Sequence, residues 1–575
     1  MKQALFLLLL SVILSVPTFG QSSKLTPELT ARLTHISDDD EVKVLVTLSR
    51  KSSETFCPEQ LLSERAIKRR QKMVSAGVLP SLISVEDLPF HSDDLQAIKQ
   101  AGLRIHHCLK GLFKVSGRIK KSHLHALASV PSVVEIDAVK IFCRPPEVDE
   151  PDVSLLIHQT PTTHSTNVLN YGASFGQLNQ INVPAVHNLG FSGQGVLIAN
   201  FDAGFSNLTH EVFQTMTIVA RKDFVTGQPN VVAPHSHGTL TLSVVGGFKQ
   251  GQLIGPAYSS LYALARTEDV DSETPIEEDN WAAAVEWADS LGADIITSSL
   301  GYREFDPPFA SYTWQQMNGQ TAISTLAARR AARLGIVVCN SAGNSGMIAL
   351  PANTLGAPAD ADSILSVGAV NSSGVRASFS SVGPTADGRI KPDIMAQGVS
   401  VRSASSVGNN YTNASGTSLS CPLIAGVAAL VLSAHPHLTP MQVITAIKST
   451  ASNANAPNRE IGWGIANALA AVNYFPLSLQ PSASEPKTFA LHQNYPNPFN
   501  PSTIITYQLP QTSDVQLDVF DVLGRKVTTL VRERQAAGSY SYSFLASRFS
   551  LSSGVYFYRL QAGSFVETKK MMLVK

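Results

Sequence analysis

Four short runs of nearly uninterrupted apolar residues constrain this chain more than any other feature. They are Gly195 to Phe201, Ala293 to Leu300, Gly335 to Cys339 and Ser363 to Val370. A strand with one wet face alternates apolar and polar residues, whereas a strand without alternation is covered on both faces. Amphipathic helical segments are interleaved with these runs: Trp281, Val285 and Ala288 recur at helical spacing in one, and Thr321 to Leu334 forms another. Strand, helix, strand in succession predicts a parallel α/β sheet with helices on both faces and right-handed crossovers. Ligands of such sheets sit at the carboxyl ends of the strands. The first run ends at Asp202.

The flanks have other textures. With 575 residues, the chain has length for three or four folded units. From about Glu41 to Phe142 extended pieces (Val42 to Val46, Val133 to Ile136) mix with a helical one (His123 to Leu127), predicting a compact α+β unit. Its Lys68-Arg69-Arg70 cluster reads as a solvated helix face, with a dibasic processing site as the alternative. His106-His107-Cys108 reads as incidental. After Tyr474 a Pro/Ser-rich linker, Pro476 to Pro486, leads into alternating segments (Val515 to Val519, Ser539 to Phe544, Gly554 to Tyr558) that predict a small all-β sandwich. Lys2, the apolar run Ala4 to Val16 and small-residue Gly20 read as a secretory signal over residues 1–20, with a retained anchor helix as the alternative. Lys plus Arg and Asp plus Glu both number 44, so no basic surplus favours nucleic acid as a partner. Five scattered cysteines, Cys57, Cys108, Cys143, Cys339 and Cys421, make no disulfide framework. Buried free thiols are expected, with a Cys339–Cys421 pair left open.

Two serines compete as nucleophile. Gly172-Ala173-Ser174-Phe175-Gly176 matches a nucleophile-elbow pattern but lacks the buried strand before it and the buried helix after it. Ser418 is better placed. It precedes Leu423 to Leu432, an all-round apolar run that predicts a buried helix beginning near the serine. Free N–H groups at a helix start stabilise a developing anion. A serine hydroxyl also needs an imidazole to take its proton and a carboxylate to orient that imidazole. Asp202 at a strand end and His237 at the head of a second apolar run can supply them, although each alone reads as structural.

Taken together, in the order Asp, His, Ser, these segments resemble the subtilisin-like serine peptidases. The resemblance rests on Gly195 through Asp202-Ala203-Gly204, His237-Gly238-Thr239, Gly416-Thr417-Ser418 with Pro422, and Phe379 to Pro384 with Asp387 to Asp393. It implies Ser418 as nucleophile, His237 as general base and acid, and Asp202 as the orienting carboxylate. Asn344, in Ser341-Ala342-Gly343-Asn344, would donate to the oxyanion with the Ser418 backbone N–H. Ser299-Leu300-Gly301 would pair with an extended peptide, with Ala342 and Gly343 also binding substrate. Pocket walls would lie near Leu300, Ala342 and Pro351 to Pro358. Two departures stand out. Ala203 replaces the usual Ser or Thr after the aspartate, leaving the carboxylate's hydrogen bonding open, and Leu240 replaces a usual histidine.

The fold class implied is a subtilisin-like α/β sheet, preceded by a small α+β propeptide and followed by a small β-sandwich. Leu491 to Thr503, Asp521 to Arg525 and Gly554 to the terminal Lys575 resemble the C-terminal sorting domain of the type IX secretion system. The expected division is a signal over 1–20, a propeptide over 21–165, a peptidase over 166–475, a linker over 476–488 and the sorting domain over 489–575. Cleavage is expected between Phe142 and Tyr171. The implied protein is a secreted or surface serine endopeptidase, made as a zymogen, whose partners are polypeptide substrates, its own propeptide and the secretion machinery. A catalytically silent surface binder is the alternative. The chemistry requires no cofactor, and calcium is left open: there is no clustered carboxylate loop, and Asp38-Asp39-Asp40 reads as solvated.

Overall fold

A computed structural model describes residues 24–138, 167–233, 235–269, 276–304, 311–347, 353–475, 488–494, 497–499, 502–549 and 551–574. The signal segment, Cys143, Pro351, linker residues 476–487 and most of the stretch expected to hold the cleavage bond lie outside the described residues.

Seven parallel strands form the central sheet, in the spatial order Ile394–Gln397, Leu365–Val370, Val337–Ser341, Ile295–Ser298, Leu197–Asp202, Leu261–Arg266, Thr217–Asp223. The four apolar runs are four of these. The other three carry weaker signals: Leu261–Arg266 is made of good helix formers overridden by its neighbours, Ile394–Gln397 has four residues, and Thr217–Asp223 is a half-exposed edge. The chain builds one side of Leu197–Asp202 first and then crosses to the other with Ile295–Ser298. Strand order therefore reverses at Leu197–Asp202, and the crevice where ligands bind such sheets opens at Asp202.

Two apolar clusters cover the two faces of the sheet. The helix Thr417–Ala434 lies in the first, buried almost throughout because it is apolar on every side. Pro422 within it has no N–H for the Ser418 carbonyl one turn earlier. That carbonyl accepts instead from the Ser299 hydroxyl at 2.8 Å, which ties the helix start to the sheet. The helices Ile276–Leu291 and Ile323–Arg333 cover the other face.

The N-terminal unit is a four-stranded antiparallel sheet in the order Arg104–Leu109, Lys114–Lys120, Glu41–Leu48, Val133–Ala138. Leu45 and Leu109 of this sheet are buried in the same cluster as Trp281, Ala284 and Ala331 of the two covering helices. The helix Glu64–Ser75 overturns the expectation of a solvated basic face. Only Lys68 is in solvent, pairing with Glu64 at 2.6 Å, while Arg69 and Arg70 are 4% and 1% exposed. Arg69 donates to the carbonyls of Ala293 (2.6 Å) and Leu334 (3.1 Å), just beyond the two covering helices, and pairs with Asp289. A guanidinium suits the negative end of a helix. Arg70 bridges Asp289 at 2.5 Å and Asp87 at 2.8 Å, and Arg330 reaches Asp87 at 2.8 Å. Burial alone would raise the Asp87 carboxyl, but these two guanidiniums hold it down at about 2. Gly292, at φ +85°, makes the approach feasible, since a Cβ there would lie 2.4 Å from that of Arg65.

The C-terminal unit is a sandwich of a three-stranded and a four-stranded antiparallel sheet around Ile505, Leu517, Phe544 and Tyr558.

Candidate active site

Asp202 is the last residue of its strand, and His237 opens the helix His237–Gly246. A backbone hydrogen bond of 3.1 Å from Gly238 to Gly204 joins that helix start to the turn after Asp202. His237 Nδ1 lies 2.6 Å from Asp202 Oδ1, and both residues are buried. Burial alone would raise the Asp202 carboxyl, but His237, the Thr241 hydroxyl and the Ala203 N–H together hold it below the ordinary range. An ionised carboxylate only accepts, so Nδ1 carries the proton and Nε2 is the basic nitrogen.

The aspartate's hydrogen bonding, left open by Ala203, is complete without a side chain at that position. The Ala203 N–H donates to Oδ1 at 2.8 Å, and Thr241 Oγ1 donates to Oδ2 at 2.8 Å. Leu240 is half-buried against the apolar cluster. No sequence motif singles out Thr241. Its position four residues after His237 on a helix puts both on one face, a signal that was present in the spacing.

Ser418 is the second residue of Thr417–Ala434 and half-buried; its hydroxyl donates to the Ser299 carbonyl at 3.3 Å. Asn344 follows the strand Val337–Ser341. Its Oδ1 accepts from the Thr417 N–H at 2.9 Å and the Thr417 hydroxyl at 2.8 Å, which turns Nδ2 the other way. Gly416, at φ +151°, has no side chain, and a Cβ placed there would lie 3.4 Å from Asn344 Nδ2 and 3.7 Å from the Ser418 nitrogen. Two N–H donors thus border one small space beside the serine, an arrangement able to hold an oxyanion. The motif gives Thr417 no task of its own; the fold brings its N–H and hydroxyl to Asn344, which they anchor.

Ser299, Leu300 and Gly301 continue beyond the strand Ile295–Ser298. The Asn340 side chain fixes the Leu300 carbonyl at 2.9 Å, and Gly301 is exposed. Ala342 donates its N–H to Val367 at 2.8 Å, and Gly343 accepts from Ser381 at 2.9 Å. These two segments flank the carboxyl edge of the sheet next to Ser418. Ser174, by contrast, is fully buried; its hydroxyl donates to the Tyr171 carbonyl at 2.8 Å and accepts from the Ile254 N–H at 3.0 Å, so it is structural. Among the described residues no three His, Cys, Asp or Glu side chains converge as a metal site. Cys339 and Cys421 are both buried free thiols, with Cys421 Sγ 3.5 Å from the Ser298 carbonyl, whereas Cys57 and Cys108, expected to be buried, are exposed on the N-terminal unit.

Comparison with known proteins matches residues 193–464 to the Subtilase family, residues 43–150 to the Peptidase S8 propeptide domain of Bacteroidota, and residues 493–575 to a secretion system C-terminal sorting domain. Subtilisin NAT of Bacillus subtilis subsp. natto is 32% identical over 340 residues, covering 58% of this chain and 78% of that protein. Subtilisin DY of Bacillus licheniformis is 35% identical over 275 residues, covering 48% of this chain and 89% of that protein. Among solved structures, the MycP3 protease from the type VII (ESX-3) secretion system aligns at 23% identity with a TM-score of 0.45, over 53% of this chain and 91% of its own.

Proposed function

The chain belongs to the subtilase family, as a serine endopeptidase with a propeptide and an export-directing sorting domain, and from that premise we propose that Asp202, His237 and Ser418 are its catalytic triad. The buried 2.6 Å contact between His237 Nδ1 and Asp202 Oδ1, at the point where strand order reverses, is the observation that carries this assignment. Ser418 Oγ attacks the scissile carbonyl as its proton passes to His237 Nε2. Asp202 holds the imidazole in the required tautomer. Asn344 Nδ2 and the Ser418 N–H receive the negative charge that develops on the carbonyl oxygen. His237 then protonates the leaving amine, and water, deprotonated by the same nitrogen, releases the acyl group. Ser299 to Gly301 and Ala342 to Gly343 present backbone to an extended polypeptide on either side of the reacting bond.

A fluorophosphonate probe tests the assignment. The expected result is one covalent adduct per mature molecule, located on Ser418 by peptide mass spectrometry. A folded, processed sample that takes up no probe would sink the assignment and leave a silent binding protein.

The propeptide makes the enzyme a zymogen, occupying the peptidase until it is cut and released. The secretion machinery acts on the sorting domain, and the boundaries 21–165, 166–475 and 489–575 divide the chain by these roles. Release is expected to depend on pH. At the contact between propeptide and peptidase, His106 and His107 Nε2 lie 3.3 and 2.7 Å from Asn280 Oδ1. Burial pushes His107 down to about 4 and His106 in the same direction, with Lys43, Arg118 and Lys222 adding to the effect. Burial and Glu278 push the neighbouring Asp279 up to about 8, against Ser116, Lys114 and Lys43.

The imidazoles have lower pKa values packed than free, so the stabilisation they allow is present above about 6.5 and is lost as pH falls towards 4. Asp279 acts with the opposite sign, favouring the packed state as pH falls below 8. Lys43, at about 8, stays protonated in both states below 6.5 and contributes no slope there. Glu286, which accepts from the Gly111 N–H of the propeptide at 2.7 Å and whose carboxyl burial pushes up, acts in the same sense as Asp279, so the histidines' share is isolated by removing them. Relative to a His106→Gln/His107→Gln double variant, the parent is expected to lose its propeptide progressively faster as pH falls from 6.5 towards 4. Propeptide retention measured by size exclusion across pH 4 to 7 checks this.

A further inference from the structure

We infer that Thr241 is a positioning residue of the catalytic site, whose hydroxyl fixes the plane of the Asp202 carboxylate and through it the His237 ring. The inference rests on Asp202 being the triad carboxylate. The carboxylate is fully buried, and its terminal torsion is intrinsically soft. Oδ1 carries two donors, His237 Nδ1 at 2.6 Å and the Ala203 N–H at 2.8 Å. Oδ2 has one donor among the described residues, Thr241 Oγ1 at 2.8 Å. With Oδ1 alone anchored, the group can pivot about that atom and carry the histidine with it. With both oxygens anchored, its plane is set.

Thr241 is suited to this task by where it stands. It lies one helical turn beyond His237, so the helix that delivers the base also delivers the donor that steadies the base's partner. Thr241 is itself buried. Its hydroxyl also approaches the Gly238 carbonyl at 3.3 Å, but its single proton is directed at the closer, ionised acceptor. The neighbouring side chain at Ala203 offers nothing to the carboxylate, so the polar side-chain support for Oδ2 comes from the histidine helix. The hydroxyl touches no reacting atom, and it acts by orientation.

The test compares mature Thr241→Val, Thr241→Ser and Asp202→Asn enzymes, each matured in trans by a trace of wild-type protease that is then removed. Loss of a hydrogen bond to a charged group predicts that Thr241→Val lowers kcat about 10- to 100-fold. KM should stay within about twofold, and Thr241→Ser should recover most of kcat, since it keeps the hydroxyl and loses only a methyl group. If Thr241→Val does not fold, Thr241→Ala takes its place against the same serine control. A Thr241→Val enzyme at parental kcat beside a crippled Asp202→Asn enzyme overturns the inference, as does an equal fall in the valine and serine variants. An Asp202→Asn enzyme at parental kcat instead overturns the triad assignment on which the inference stands.

Discussion

Replacing Ser418 with alanine is expected to lower kcat about a millionfold while leaving the fold in place. The substitution removes one hydroxyl, which makes a single 3.3 Å hydrogen bond to the Ser299 carbonyl worth about 1 kcal/mol. Its backbone carbonyl keeps the Ser299 hydroxyl as donor, so the helix start is not loosened. The chemical loss is much larger, because on the proposed mechanism the acyl intermediate forms on this hydroxyl. In subtilisin the removal of the corresponding serine costs about 10⁶ in kcat, and the residual rate comes from oxyanion donors and binding, which alanine leaves intact. Peptide hydrolysis by the folded variant measures this directly. The same variant, expressed alone, should accumulate as full-length precursor with its propeptide uncut. Normal processing would assign maturation to another protease.

The second large effect is expected at Asp289, far from the chemistry. This carboxylate sits on the last turn of Ile276–Leu291 and pairs with both Arg69 and Arg70 of the propeptide. Arg70 retains Asp87 if Asp289 is lost, whereas Arg69 is left with carbonyl acceptors only. Removing one partner from a buried ion pair costs about 3–5 kcal/mol, since the remaining charge is stranded away from water. Asp289→Ala should therefore weaken the hold of the cleaved propeptide about 10²- to 10⁴-fold, with kcat on small peptides unchanged once the propeptide has left. The dissociation rate of the propeptide from the processed complex gives the number. A complex as durable as the parent's would show the network to be dispensable. Coupling Asp289→Leu with Arg69→Met should restore much of the affinity, because an apolar pair has no charge to strand.

These two sites differ in how far the sequence discloses them. Asp202, His237, Ser418 and Asn344 each stand where a strand ends or a helix begins, and local pattern marks such places: an apolar run stops, or an all-round apolar run starts. Arg69 and Arg70 carry no such mark. A helix bearing Lys68, Arg69 and Arg70 has the composition of a solvated face, and what buries two of the three is Asp289, more than two hundred residues away. Nothing in the local chain separates an arginine in water from one that caps the helices of another unit. His106 and His107 were opaque for the same reason, since Asn280 gives them their place. Thr241 is intermediate. Helical spacing placed it beside His237, but only the tertiary approach of Asp202 gives its hydroxyl a task.

Leu45 and Leu109 lie inside the apolar cluster that also holds Trp281 and Ala331. The propeptide thus contributes side chains to the interior of the peptidase, together with the arginine at its helix ends. On the proposed maturation, free energy released in folding the precursor is partly surrendered as the propeptide leaves. The endurance of the enzyme so matured is then set by the height of the barrier to unfolding. Longevity of this protease should accordingly be engineered by slowing the first opening of the helices Ile276–Leu291 and Ile323–Arg333, and a half-life at fixed temperature will rank variants where a melting temperature does not.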